Sequence, residues 1–140
     1  MKLKTLLTGL LAAGFVLGAM SGCSSTPNLP TREMPAGASF TGLWYSDEFG
    51  EMKITVKSDN TVHGTFDYRD GYIDGHVEGG VMLFEWVQPG DFQHARREVR
   101  GHGYLVISDD GMEMAGQWGY SDNYEGGGKW TGRKATEIYR

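Results

Sequence analysis

The chain has 140 residues, with 13 Lys and Arg against 18 Asp and Glu, a formal charge of -5, and a single cysteine. That length leaves room for one domain, and the acidic balance excludes the basic stripe that a nucleic-acid partner requires. The lone cysteine excludes an internal disulfide framework and any multi-cysteine zinc site.

The first element is a leader. Lys2 and Lys4 give a positive start, and an apolar run follows from Leu6 to Ala19. The run is short for a bilayer span, and its charge layout is that of a secretory signal over residues 1–22. It ends in Met20-Ser21-Gly22-Cys23, which resembles the lipobox of bacterial lipoproteins. The resemblance implies diacylation of Cys23 (palmitate being a typical chain), cleavage before it, and acylation of the new amino terminus. Two or three acyl chains make attachment effectively permanent. Ser24 is not the Asp that resembles an inner-membrane retention signal, so the implied location is the cell outer membrane, on its periplasmic or surface side. Residues 23–39, rich in Ser, Thr, Pro, Asn, Ala and Gly, read as a lipidated tether. It is expected to hold an acidic body off anionic lipid.

From Phe40 to residue 135 the pattern has period two, with no helical stripe. Strands are predicted over 40–46, 51–57, 61–68, 72–79, 81–87, 97–108, 112–119 and 127–134. Turn residues separate most of them, among them Ser58-Asp59-Asn60, Gly79-Gly80 and Asp109-Asp110-Gly111. Residues 136–140 form a short tail. One face holds Phe40, Trp44, Met52, Ile54, Val62, Phe66, Ile73, Val77, Met82, Phe84, Trp86, Val99, Leu105, Ile107, Met112, Met114, Trp118 and Trp130, interspersed with glycines. The opposite face carries Lys53, His63, Asp74, His76, Glu98, Arg100, His102, Glu113, Lys129 and Arg133, and is solvated. A register slip of one residue would exchange the faces, so the division constrains the fold.

Eight such strands with no helix to cover their apolar face must close on themselves or form a two-sheet sandwich. Sequential hairpins favour an all-β, eight-stranded antiparallel up-and-down barrel, with no exposed edges. Twenty-two glycines then have a use: Gly42-x-Trp44, Gly64-x-Phe66, Gly116-x-Trp118 and Trp130-x-Gly132 give large rings room inside a narrow barrel.

Gly42-Leu43-Trp44 on the first strand is similar to the Gly-x-Trp signature of the calycins, the lipocalin and avidin group. Trp130-Thr131-Gly132-Arg133 on the last strand puts Arg133 near where that group packs an Arg over the first-strand Trp. The resemblance implies a small barrel that is either filled or holds a small apolar ligand; the bulky inward residues favour a filled one. Biotin is not implied, because no inward position of these strands is polar.

No nucleotide-binding or hydrolase motif occurs, and no ionisable residue points inward, so the chain is not expected to be an enzyme and no cofactor is expected. His63 and His76 form a weak candidate metal pair, opposite each other if the intervening loop has even length; two ligands fall short of a site. The first, third, fifth and seventh connections share one barrel end and carry Phe49, Tyr68, Arg69, Tyr72, Phe92, His94, Arg96, Arg97, Tyr120 and Tyr124. Aromatics with arginine suit binding loops. The expected function is a lipid-anchored binding module using these membrane-distal loops, with an envelope protein or saccharide as partner. An inhibitor of a periplasmic or host hydrolase, inserting residues 24–38 into an active site, is the alternative. A carrier of a small apolar ligand is the third.

Overall fold

Alternating apolar and polar residues put eight strands into one closed sheet in the computed structural model, which describes residues 28–136. The lipobox, Cys23 and the tail beyond residue 136 lie outside the described residues. The strands are β1 (Gly42–Ser46), β2 (Gly50–Val56), β3 (Thr61–Phe66), β4 (Gly71–Glu78), β5 (Val81–Gln88), β6 (Val99–Ile107), β7 (Glu113–Tyr120) and β8 (Gly128–Lys134). Each pairs antiparallel with its chain neighbours, and β8 returns to β1, giving an up-and-down barrel. Two short 3-10 turns, Tyr68–Asp70 and Phe92–His94, lie in the connections where the alternating pattern stops.

The inward face is the predicted one. Fifteen buried residues form the interior cluster, from Phe40 and Trp44 through Met82 and Phe84 to Met114 and Trp130, and all of them lie on it. Burying each Phe or Met here stabilises by about 1.5–3 kcal/mol relative to exposure. Met112 is the exception: it precedes β7 in the turn and is 37% exposed.

The glycines make room for the rings, but across the ladder rather than along one strand. Phe66 lies over Gly71, Phe84 over Gly103 and Trp86 over Gly101, each its register partner on the next strand. A Cβ at Gly71 would lie 1.9 Å from the Phe66 ring and one at Gly101 2.5 Å from Trp86. A side chain at either position would expel the ring that fills the interior.

Residues 28–39, expected as free tether, are docked on the barrel instead. The Arg32 carbonyl accepts from the Gly80 N–H at 2.9 Å, while its guanidinium donates to the Ile107 carbonyl at 2.7 Å and pairs with Asp109. Gly79, at φ 57°, allows this approach, because a Cβ there would sit 2.3 Å from the Arg32 carbonyl oxygen. Met34 and Ala38 pack against the core, and Phe40 is fully buried, so the chain closes the tight-turn end before entering β1. Further back, Leu29 covers a second apolar cluster of Val81, Leu83 and Tyr104 on the outside of β5 and β6. The sequence signal was the near-continuous apolar run Val81–Val87, which marks a strand buried on both faces.

The predicted Arg–Trp contact takes a different form. Arg133 pairs outside with Asp47, and Lys134 places its Nζ 5.3 Å from the Trp44 ring centre. His63 and His76 are not opposite each other. His63 faces Asp74 in the register and bonds it at 2.7 Å, while His76 faces Thr61 and bonds Glu78.

Candidate functional site

Strands β1, β3, β5 and β7 all run toward the loop end, and the last inward residues of β3, β5 and β7 are rings or lie beside them. There the filling stops and a cavity of about 670 Å³ opens. Phe49, Phe66, Tyr68, Trp86, Trp118, Tyr120 and Trp130 line it, with Glu48, Arg69, Gln88, Val99, Gly128 and Lys129. The barrel is therefore filled at its tight-turn end and in its middle, and cupped at its loop end.

Trp130 is the floor. It is buried, with Phe49 tilted over it at 4.2 Å and Phe66 and Phe84 edge-on at 5.3 and 5.1 Å. One wall is the edge-to-face series Trp86–Trp118–Tyr120, at 5.6 and 5.1 Å. Such offset and edge contacts fix ring orientation more firmly than area burial alone. Three indole N–H groups are committed: Trp44 to the Phe40 carbonyl, Trp130 to the Met52 sulfur, and Trp86 to the His102 and Gly119 carbonyls. That of Trp118, in a half-buried ring, has no partner among the described residues.

The cup meets a gap in the sheet. The β1–β8 ladder holds two residue pairs, against five in β1–β2 and eight in β5–β6. Above it the Glu48 carboxylate takes the place of a strand: it accepts from the Thr131 N–H at 3.0 Å, from the Thr131 hydroxyl at 2.9 Å and from the buried Ser46 hydroxyl at 3.1 Å. Partial burial pushes the Glu48 carboxyl up, but these hydrogen bonds outweigh it and hold the group below its ordinary value. A half-buried acceptor that completes a ladder is a structural use of a carboxylate, and it leaves Glu48 little freedom to bind anything else.

The turn between β3 and β4 carries strain. Arg69 and Asp70 both have φ 54°, in the left-handed region that non-glycine residues seldom occupy, at about 1–2 kcal/mol each. The turn stacks the Arg69 guanidinium on Tyr68 at 5.3 Å, beside the mouth. Strain held in a loop beside a cavity is a recurrent mark of positioning.

Of the residues expected at the loop end, Phe49, Tyr68, Arg69 and Tyr120 line the cup. The other six do not. Tyr72 is on the outer wall beside His63, and Tyr124 packs on the outer cluster near His102. Phe92 is fully exposed. His94 and Arg96 are held by Asp91, which also caps its 3-10 turn, and Arg97 is exposed away from the cavity. Phe66, Trp86, Trp118 and Trp130 were assigned to the core, and their position at the loop-end tips of the strands was the signal that they line a mouth. Continuing the inward phase of Trp44 and Ser46 two residues further reaches Glu48, so one acid does approach the interior. Among the described residues no group of three or more His, Cys, Asp or Glu could hold a metal ion.

No known protein family, curated protein or solved structure matches the chain.

Proposed function

We propose that the protein is a non-catalytic binding module of the bacterial cell envelope, anchored in the outer membrane by lipid on Cys23, which takes a flat apolar group into the loop-end cup. That group belongs to a small molecule or to an envelope protein or saccharide that carries it. The observation that carries this reading is the ring of seven aromatic side chains around an open cavity, in a barrel whose remaining interior is filled. Aromatic surface left facing water costs free energy, and pre-formed apolar cavities of roughly 300–1,000 Å³ are where small ligands bind. The rings are rigid and immobilising them costs little entropy, so they suit an anchor pocket. The inhibitor mode through residues 24–38 has less support, because residues 28–38 are engaged with the barrel.

The neutral probe N-phenyl-1-naphthylamine tests the cup. It should bind one to one, and Trp118→Ala should weaken it about tenfold, while Tyr124→Ala on the outer wall leaves it unchanged. Equal binding by the Trp118→Ala variant would remove the cup as the site. The anchor has its own test. Five residues separate Cys23 from Leu29, the first residue packed on the barrel, a reach of at most about 22 Å. Lipid on Cys23 would therefore hold the barrel close to the bilayer rather than at the end of a long tether. Cys23→Ser should move the protein from the membrane fraction to the soluble one, and retention in the membrane fraction would refute lipid attachment there.

A further inference from the structure

We infer that the ligand of the cup is an amphipathic anion, with a flat apolar body and a carboxylate, sulfonate or comparable acidic group. The inference rests on the cup being the binding site. Three residues with ordinary charges border it: Glu48, Arg69 and, from the outward phase of β8 beside the gap, Lys129. The Glu48 carboxylate is spent on Thr131 and Ser46 and offers a ligand little.

Arg69 and Lys129, by contrast, join no ion pair among the described residues. Arg32, Arg96, Arg100 and Arg133 each hold a carboxylate. Other acids stand at the same barrel end, Asp70, Asp122 and Glu125 among them, but none of these lines the cavity. The cup is thus a cation-bearing mouth on a chain whose formal charge is -5.

Hydrogen bonding points the same way. The Trp118 indole N–H is a donor without a partner beside the same cavity, so the uncommitted polar groups of the cup are weighted toward donors. A neutral apolar occupant would displace water from Arg69, Lys129 and Trp118 and return no acceptor, which carries a desolvation penalty. An acidic group returns one. The planar guanidinium of Arg69, already oriented on Tyr68 by the left-handed turn, can accept a carboxylate or sulfonate through two N–H groups at once. The apolar body then lies against the accessible rings of Phe49, Trp118 and Tyr120.

The experiment compares two probes that share a ring skeleton: N-phenyl-1-naphthylamine, which is neutral, and 1-anilinonaphthalene-8-sulfonate, which adds one sulfonate. At low ionic strength the sulfonate should bind the native protein at least tenfold more tightly, and salt should erode that advantage. Arg69→Gln and Lys129→Gln should each reduce sulfonate affinity several-fold while changing the neutral probe far less. Equal affinity for the two probes, or an advantage that survives both substitutions, would overturn the anionic ligand while leaving the cup intact. Binding of neither probe would overturn the cup itself.

Discussion

Gly116→Ala is expected to destabilise the barrel by about 3 kcal/mol or more, lowering the melting temperature by roughly 12–24 °C. Gly116 sits opposite Leu105 in the β6–β7 ladder. A Cβ there would lie 1.8 Å from the Tyr104 carbonyl oxygen and 2.7 Å from its carbon. Both obstacles are backbone, so relief requires moving β6 itself and breaking ladder hydrogen bonds. Gly132→Ala is the contrast, because its Cβ would meet the flexible end of Met114 at 2.7 Å. That side chain can swing aside, and the expected cost is about 1 kcal/mol or less. In both variants the loss of chain entropy in the unfolded state works in the opposite direction, by about 0.4–1 kcal/mol, so a measured loss understates the steric cost. Thermal unfolding of the two variants side by side decides the matter. Equal melting temperatures would mean that the coiling of β6 against β7 does not depend on the missing side chain.

That pair also shows what the sequence could and could not convey. Alternation fixes which residues face inward, because one buried face leaves a strand only one phase, and every member of the interior cluster was on the predicted side. Glycine beside aromatic was visible as a composition, whereas the pairing of Phe66 with Gly71 or Trp86 with Gly101 depends on register across a hairpin. Register also decided that His63 meets Asp74 instead of His76: the four-residue loop has the even length that an opposed pair requires, but the pairing is offset by two residues. The cup was hidden for a different reason. Phe66, Trp86, Trp118 and Trp130 have the same inward phase as Trp44 and Phe84, and only their height in the barrel separates a ring that lines the cup from one packed below it. The docked segment was hidden because Arg32 bonds the Ile107 carbonyl and Gly80 N–H, groups that every residue type supplies. A polar, small-residue stretch gives no sign of such a partner until the turns that hold it are in place.

Removing Glu48 should cost about 1–3 kcal/mol at neutral pH and should loosen the cup along with the seam. Glu48→Ala leaves the Thr131 N–H and the Ser46 hydroxyl without their acceptor, and an unmade bond to a charged acceptor is costly to a partly buried donor. Because Ser46 also accepts from the Phe49 N–H, the loss passes to Phe49, whose ring roofs Trp130. Binding of the neutral probe should therefore weaken in Glu48→Ala although the substituted residue contributes no ring. The pH dependence follows from the lowered folded-state value. Unfolding restores an ordinary carboxyl near 4.5, so the contribution is fully present above that value and is lost as pH falls through the lower value of the folded protein. Glu48→Gln keeps an acceptor oxygen but cannot titrate. The stability difference between native protein and Glu48→Gln should accordingly stay constant above about pH 5.5 and shrink on acidification. Some acid lability should persist in the variant. The carboxyls of Asp59, Asp91 and Asp110 are also held low, by hydrogen bonds from Thr61, from His94 and Arg96, and from Ser108 and Met112 respectively. Unfolding curves for the two proteins from pH 3 to pH 7 isolate the Glu48 part. Parallel acid limbs would show that the gap between β1 and β8 is closed by packing alone, and the carboxylate would then have no share in holding Phe49 over the floor of the cup.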